Sequence, residues 1–192
     1  MSEKPNRKTQ IIEVASKLFF EQGYHVTGIK QIIEAADIAK GTFYSHFKSK
    51  EELGLEWLHQ TAQKWIERKL EYLSQFEGDP ARKLVAMFDF QAQGAEACRY
   101  RGCAMLNTLS ETPDISCPMR QAIREYKKGG LNFIQSLVNE CLPEASEEDR
   151  EQRAGAIYLL FEGATVATQS FCKTDPIEIA KKQVVKILAE KA

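Results

Sequence analysis

The 192-residue sequence is poor in proline, the residue that most strongly interrupts helices, with six in all and none between Pro5 and Pro80. It also lacks alternating apolar and polar stretches and hairpin dipeptides, which argues against a sheet-based fold. Apolar residues instead recur every three or four positions, as in the segment 147–172. We therefore predict an all-α protein of about nine helices.

Long hydrophobic runs and paired metal-binding cysteines are also missing. The longest conspicuous apolar run, at 154–161, is too short to span a bilayer, and the first eight residues are polar. The five cysteines form no Cys-x-x-Cys pair. These absences predict a cytoplasmic protein with reduced thiols, no membrane partner, no metal site and no cofactor.

The net charge of −1 is small, but the charges are unevenly distributed along the chain. Residues 1–50 hold eight basic and five acidic side chains, whereas residues 51–192 hold eighteen basic and twenty-two acidic ones. A basic N-terminal segment followed by an acidic remainder predicts an anion-binding N-terminus.

Three short predicted helices fill the basic segment. The first spans about 6–22 and ends at Gly23, a residue that readily takes a left-handed conformation. We expect Thr27 to cap the second helix, and a tight break at Asp37-Ile38 separates that helix from a third at 40–47. Short helices joined by such a break describe a helix-turn-helix.

The third helix combines an apolar anchor with polar donors. Phe43 and Phe47 are four residues apart and are expected to hold one face of the helix in the core. The other positions carry cation, hydroxyl and imidazole donors, which suit phosphate oxygens: Lys40, Thr42, Tyr44, Ser45 and His46. Gly41 allows a close backbone approach, and Lys50 lies near the positive end of the next helix dipole.

The remainder of the chain shows further helix starts. Asp79 and Asp175 each precede a proline, as a cap precedes the first helical residue. Ser49 and Ser146 each lie three residues before an acidic side chain, as in a capping box. Together with the apolar spacing, these starts predict helices over 50–76, 147–172 and 176–190.

The helix-turn-helix sequence is similar to that of a known family. The stretches GYHVTGIKQI at 23–32 and ADIAKGTFYSHFKSKEEL at 36–53 resemble the DNA-binding region of tetracycline-repressor (TetR) family regulators. The resemblance covers about residues 6–55, and beyond it only the helical layout and the length match the family. It implies a homodimeric repressor of a palindromic double-stranded DNA operator, whose larger C-terminal part binds an inducer.

The resemblance also implies which residues meet DNA. Phosphates would be contacted by Lys40, Thr42, Tyr44, His46 and Lys50. Gly41 and Thr42 would lie nearest the bases, and Thr27 would reach the DNA backbone. The residues themselves leave an alternative open, in which Tyr44 and His46 are partly buried packing residues.

Two positions depart from the family pattern. Asp37 stands where the family usually has glycine at the turn, and aspartate tolerates left-handed geometry better than most residues. Ala39 stands where the family often has serine or threonine, which removes a cap contributing about 1 kcal/mol.

The family resemblance divides the chain into a helix-turn-helix domain at 1–48 and an effector-binding and dimerisation domain at 49–192. The last two predicted helices carry apolar stripes, and the resemblance implies that they form a four-helix interface with a second copy. The stripe on the first of them comprises Ala154, Ile157, Phe161, Ala164, Thr168 and Phe171. The alternative is that this stripe packs inside one subunit.

The middle of the chain supplies candidates for an effector pocket. The apolar candidates are Trp65, Phe88, Phe90, Met105, Phe133, Tyr158 and Phe161. Asn107 and Gln169 would orient a bound ligand. Each aromatic residue has the alternative of an ordinary core position, so these residues form a pool of candidates.

Two cysteines bracket the segment Cys98-Arg99-Tyr100-Arg101-Gly102-Cys103 at an expected helix junction. Arg99 and Arg101 lie beside the thiols and Cys103 is expected to begin the next helix, two features that lower the pKa of a thiol. The alternative is that Cys103 is a small buried apolar residue.

The sequence GCAMLN at 102–107, followed by LSE at 109–111 and MR at 119–120, resembles one branch of the family. That branch senses electrophiles or oxidants through the cysteine after the glycine. The resemblance implies that Cys103 is the sensing thiol, and Cys98 could act as its resolving partner.

These observations favour a DNA-binding transcriptional regulator, a repressor released by a small-molecule effector or by cysteine modification. One alternative is an all-α ligand-binding or scaffold dimer that does not bind DNA. An enzyme would use Cys103 as nucleophile with a histidine as base, but all three histidines lie within residues 25–59. The sequence also has no glycine-rich phosphate loop and no nucleophile elbow, so we predict that the protein is not an enzyme.

Overall fold

A computed structural model describes residues 6–190 of the chain. These residues form nine α-helices and no strand. The helices are α1 (Arg7–Gln22), α2 (Ile29–Ala35), α3 (Lys40–His46), α4 (Lys50–Ser74), α5 (Pro80–Ala97), α6 (Ala104–Glu111), α7 (Pro118–Cys141), α8 (Glu147–Phe171) and α9 (Asp175–Ala189). The predicted all-α fold is confirmed. In the described part of the chain, no helix has the length and apolar character needed to cross a membrane. Of the polar first eight residues, the first five lie outside the described residues.

Most of the helix starts follow the predicted caps. The Asp79 side chain accepts a hydrogen bond from the backbone N–H of Arg82 at 2.9 Å, and α5 begins at the next residue. The hydroxyls of Ser49 and Ser146 each accept a backbone N–H at 3.1 Å, at the starts of α4 and α8. The expectation for Asp175 is wrong by one residue, because Asp175 is the first residue of α9 and Thr174 occupies the cap.

The predicted capping of α2 by Thr27 is wrong. Gly28 occupies the cap position, so α2 begins without a side-chain cap. The Thr27 hydroxyl turns inward, where it donates to the Gly23 carbonyl at 2.6 Å and accepts from Gln22 Nε2 at 2.9 Å. Thr27 is fully buried and stabilises the turn before α2 rather than its first amide groups. Its hydroxyl is therefore not exposed to the DNA backbone, which the family resemblance implied that it would reach.

The described chain divides into two compact units. The first unit comprises the described residues up to Lys64 together with Cys103–Arg124, and the second comprises Trp65–Gly102 and the described residues from Glu125 onward. The first part of α4 and all of α6 therefore belong with the helix-turn-helix. The functional division at residue 48 stays a prediction.

The core of the first unit holds the helix-turn-helix together. Ile11, Phe19 and Ile32 are buried, and the rings of Phe19 and Trp57 lie 5.1 Å apart. Burying an aliphatic or aromatic side chain of this size contributes about 1.5–3 kcal/mol. This packing fixes α1, α2 and α3, and it is essential for α2 and α3 because a seven-residue helix is not stable alone in water.

The core of the second unit contains the apolar stripes of α8 and α9. Most of the α8 stripe is buried, as are Ile177, Ala180 and Val184 on α9. These stripes pack within the subunit, so the expectation that they face a second copy is wrong. Phe171 differs from the rest of its stripe and is 65% exposed. A periodic stripe identifies a buried helix face, but it cannot tell whether the covering element belongs to the same chain.

Candidate DNA-binding surface and sensing residues

The turn between α2 and α3 is built as the sequence suggests. Asp37 takes a left-handed backbone with φ +48°, as expected for an aspartate in place of glycine. The Asp37 N–H donates to the Glu34 carbonyl and the Ile38 N–H to the Ile33 carbonyl, each at 3.2 Å, which closes a Schellman motif. Ala39, at the cap of α3, makes no side-chain hydrogen bond, so the expected loss of a cap is confirmed.

The α3 helix presents polar groups on a firmly anchored backbone. Phe43 and Phe47 are 0% and 2% exposed, which confirms them as the apolar anchor. Tyr44 is 45% exposed, and the Lys40 ammonium lies 5.9 Å from its ring centroid. A Cβ added at Gly41 would meet nothing within 4 Å, so the backbone there is open to a close approach.

The remaining α3 candidates are less exposed. Thr42 and His46 are both half-buried, and the Thr42 carbonyl accepts the Ser45 hydroxyl at 2.8 Å. The half-burial of His46 leaves its two interpretations, phosphate contact and packing, both open. Exposure at Tyr44 favours contact with a partner at that position.

Lys50 is already engaged with the loop between α1 and α2. Its ammonium donates to the His25 carbonyl at 2.9 Å and lies 4.5 Å from the centroid of the Tyr24 ring. Burial lowers the pKa of Lys50, and the nearby Glu111 carboxylate opposes that shift. Burial also raises the pKa of Tyr24 to about 12, with Glu51 and Cys117 adding to the rise. Any phosphate contact by Lys50 must therefore compete with these intramolecular partners.

The start of α4 is less attractive to phosphate than the sequence suggests. Glu51 and Glu52 occupy its first turn, and Glu52 accepts the backbone N–H of Lys48 at 2.7 Å. These carboxylates satisfy and neutralise the positive end of the helix dipole. Lys48 remains exposed on this surface.

Glu111 is a residue that the sequence reasoning missed. It ends α6, and its carboxylate accepts the backbone N–H of His25 at 2.6 Å. A Cβ added at Gly23 would lie 2.7 Å from the same carboxylate, so only glycine fits there without a shift. The end of α6 therefore holds the loop that leads into the helix-turn-helix. Local sequence patterns could not predict this contact, because 86 residues separate the two partners. The family-like LSE segment was the one signal that pointed to Glu111.

The two candidate sensing cysteines flank a strained loop. Cys98 follows α5 and Cys103 occupies the cap of α6, which confirms the predicted helix junction. Both are half-buried free thiols. Arg99 and Tyr100 have φ values of +51° and +58°, and such left-handed geometry costs a non-glycine residue about 1 kcal/mol.

Gln169 lies against the end of this loop. Its side-chain amide donates to the Arg101 carbonyl at 3.1 Å, and a Cβ at Gly102 would overlap its carboxamide. The residue predicted to orient a ligand is thus brought to the backbone at Arg101 and Gly102. Burial raises the pKa of another thiol, Cys141, to about 11, with Glu140 and Asp79 adding to the rise, so that thiol stays protonated at neutral pH.

The remaining pocket candidates fall in different places. Met105 and Asn107 belong to the first unit, and Met105 is buried. Phe88 is a core residue at 1% exposure, in edge contact with Phe161 at 5.3 Å. Tyr158 is half-buried and packs against the same core.

Trp65 and Phe133 lie near Lys69, a residue that the sequence analysis did not include among the pocket candidates. The Trp65 and Phe90 rings are 4.6 Å apart, and the Phe133 ring centroid lies 4.3 Å from the ammonium of Lys69. Lys69 is only 9% exposed, and burial lowers its pKa to about 8. Within residues 6–190, no group of three or more His, Cys, Asp or Glu residues is arranged to hold a metal ion.

Comparison with known sequences finds relatives over most of the chain. The family described as bacterial regulatory proteins, tetR family, matches residues 11–56. The HTH-type transcriptional repressor NemR of Escherichia coli (strain K12) is 25% identical over 193 residues, covering 96% of this chain and 95% of NemR. The HTH-type transcriptional repressor DhaR of Mycobacterium sp. (strain GP1) is 32% identical over 142 residues, covering 72% of this chain and 68% of DhaR.

Solved structures show the same fold. Reduced E. coli NemR superposes with a TM-score of 0.80 at 22% identity, covering 95% of this chain and 97% of that structure. A TetR-family transcriptional regulator from Streptomyces coelicolor gives a TM-score of 0.85 at 22% identity, covering 98% and 91%. Since the helix-turn-helix segment, the relatives and the fold agree, this chain belongs to the TetR family of DNA-binding transcriptional regulators.

Proposed function

We propose that this protein is a homodimeric repressor that binds a two-fold symmetric operator through α3. It releases the operator when the second unit binds an effector or when Cys103 is modified. The observation that carries the proposal is the α3 surface, where polar donors are exposed on a helix anchored by Phe43 and Phe47. The repressor names of NemR and DhaR support the direction of regulation. Because a repressor acts on cellular DNA, we infer that the protein works in the cytoplasm.

The DNA-contact residues have different parts in this proposal. Lys40 and Tyr44 contact phosphates most directly because they are exposed, and Gly41 admits the DNA backbone or a base edge. Thr42 and His46 contribute from half-buried positions. Thr27 acts by holding the turn before α2, since its hydroxyl is engaged with the Gly23 carbonyl. Lys50 contributes less than Lys40 because its ammonium must first leave the His25 carbonyl.

Dimerisation uses the apolar side chains that α8 and α9 leave exposed. Leu159 and Val166 on α8 are 70% and 49% exposed, and Ile179 and Val185 on α9 are 60% and 54% exposed. A stable interface buries about 800 Å² on each partner, and two apolar helix faces suit that requirement. A two-fold dimer would present its two α3 helices about 34–36 Å apart, one turn of DNA.

Release by Cys103 acts through α6. An electrophile that forms a bond with the Cys103 sulfur adds bulk at the first turn of this eight-residue helix. The other end of the same helix carries Glu111, which holds the His25 N–H. A shift of α6 would therefore loosen the loop before α2, and two-site docking on DNA is lost when the reading helices move by a few ångströms.

The DNA-binding part of the proposal is tested by selecting duplexes from a random library and titrating the selected operator at several salt concentrations. The selected sites should be palindromic, and affinity should fall steeply with salt because phosphate contacts release counterions. Lys40→Met removes one phosphate contact from each subunit, so it should reduce the salt slope of the dimer by about two and weaken binding on all sequences alike. Lys64→Met is the matched control, because Lys64 is an exposed lysine outside α3.

Binding that is absent, or independent of salt, would contradict the regulator. It would favour the ligand-binding or scaffold dimer without DNA binding. Tyr44→Ala separates the two interpretations of Tyr44: weakened DNA binding by an intact dimer supports phosphate contact, and unchanged binding rejects it.

The cysteine part is tested by adding N-ethylmaleimide to the protein–operator complex. The wild type should release DNA, and Cys103→Ser should bind DNA normally but resist release. Cys172→Ser is the matched control, because Cys172 is the exposed cysteine and reacts whether or not it has a function. If Cys103→Ser is released as readily as the wild type, the sensing role of Cys103 is wrong and the effector acts elsewhere.

A further inference from the structure

Three lysines of the second unit have ammonium groups of low exposure, and they differ in the partners that these groups contact. Lys127 reaches both carboxylate oxygens of Glu162, at 2.6 and 2.9 Å. Lys181 pairs with Asp89 and with Glu178. Lys69 is the most deeply buried of the three, yet within residues 6–190 no carboxylate and no hydrogen-bond acceptor pairs with it.

The only partner of the Lys69 ammonium in the described chain is the face of the Phe133 ring, at 4.3 Å. Attraction between a cation and a ring compensates only part of the cost of removing an ammonium from water. A methionine would fill the same space without that cost. The sequence thus places a positive charge at a buried position where the contacts of the described chain compensate only part of its desolvation.

The side chains around Lys69 indicate which kind of ligand could pair with its ammonium. Trp65 and Tyr72 lie one turn before and about one turn after Lys69 on α4, and therefore on the same helix face. Both rings pack against Phe90, with centroids 4.6 and 5.5 Å from it. Trp65, Tyr72 and Phe133 are only half-buried, although they adjoin core residues. The ammonium therefore has the face of Phe133 beside it, two further aromatic side chains on its own helix face, and no counter-ion among residues 6–190.

We propose that Lys69 is the anion-recognising group of a ligand site in the second unit, and that this site takes a small apolar carboxylate. The carboxylate pairs with the ammonium, and the apolar body of the ligand packs against Trp65 and Phe133. The ion pair forms in surroundings of low dielectric, where it is stronger than in water and where the matching neutral amide gains nothing comparable. One part of this inference rests on the proposed function, namely that the ligand bound at Lys69 is the effector that releases the operator.

The experiment measures binding of benzoate, phenylacetate and hexanoate to the full-length protein without DNA. Thermal unfolding is followed with each acid and with the primary amide of the same skeleton. Trp65 fluorescence in a Trp57→Phe background gives a second readout, because Trp65 lies one turn from Lys69. At least one of the acids should raise the Tm and change the fluorescence, and its amide should not.

Lys69→Met should bind that acid about tenfold more weakly or not at all. Lys69→Gln provides a second variant without the charge, and Lys64→Met is the matched control on an exposed part of the same helix. The proposal is overturned if none of the three acids affects the wild type, or if wild type and Lys69→Met respond equally. Operator binding is measured in a separate experiment. If the protein does not bind an operator, the repressor proposal fails, but the ligand-binding results for wild type and Lys69→Met still decide whether Lys69 recognises a carboxylate.

Discussion

Replacing Lys69 by methionine should stabilise the ligand-free protein, and the gain should depend on pH in a defined direction. Burial lowers the pKa of Lys69 from 10.5 to about 8. The folded state therefore binds this proton more weakly than the unfolded state does. Below pH 8 the folded protein carries the full cost of the buried ammonium, and that cost disappears as the pH rises from about 8 to 10.5.

The magnitude follows from the two pKa values. One pKa unit corresponds to about 1.4 kcal/mol, so the buried charge costs about 3 kcal/mol at pH 7. Lys69 is only 9% exposed, so solvent screening reduces this figure little. At pH 10 about three-quarters of the unfolded chains still carry this proton but almost none of the folded chains do, and the remaining cost falls below about 1 kcal/mol. Methionine removes the titrating group and keeps an unbranched apolar stem of similar length.

The assay is urea unfolding of wild type and Lys69→Met at pH 7 and at pH 10, at one fixed protomer concentration because the proposed dimerisation would contribute to stability. Lys69→Met should be more stable by up to about 3 kcal/mol at pH 7, with most of that difference gone at pH 10. Lys64→Met, an exposed control on the same helix, should follow the wild type at both values. A variant less stable than the wild type at pH 7, or a difference unaffected by pH, would refute the reasoning.

Three further predictions concern the helix-turn-helix and the dimer. Glu111→Ala should lower operator affinity by roughly tenfold without unfolding the protein, because the loop at His25 loses a charge-assisted hydrogen bond; equal anisotropy titrations for variant and wild type would contradict this. Asp37→Gly should raise the free energy of unfolding by about 0.5–1 kcal/mol, because glycine accepts the left-handed backbone without strain; a lower Tm would be the contrary result. Leu159→Glu should produce monomers in sedimentation experiments, because it places a charge on the exposed apolar face of α8; a dimer of unchanged affinity would locate the interface elsewhere.

The features predicted correctly from the sequence depend on neighbouring residues. The caps at Asp79 and Ser146 and the left-handed turn at Asp37 are decided within four or five residues of chain. Local hydrogen bonding and backbone sterics are enough to specify them. Helix positions and the apolar anchor of α3 follow from spacing for the same reason.

The errors arise where two local solutions compete. The Thr27 hydroxyl can cap the following helix or bond back to Gly23, and the buried turn selects the second. The α8 stripe could equally face a neighbouring helix or a second copy, and spacing alone does not distinguish them.

The omissions are contacts between residues far apart in sequence. Glu111 meets His25 across 86 residues, and Lys69 meets Phe133 across 64. A charged residue in an amphipathic segment is ordinarily assigned to the solvent face. Only the packed structure reveals that the charge of Lys69 is buried with no counter-ion in the described part of the chain.

The small size of α3, the proposed DNA-reading helix, has a consequence for how operator binding would respond to heat. A seven-residue helix does not persist by itself in water, so the reading surface exists only while the first unit holds Phe43 and Phe47 in its core. A synthetic peptide of this segment would be a random coil and a poor competitor for the operator. Warming that unfolds the first unit would remove this surface, so binding to the proposed operator should be lost over the same temperature range in which that core melts.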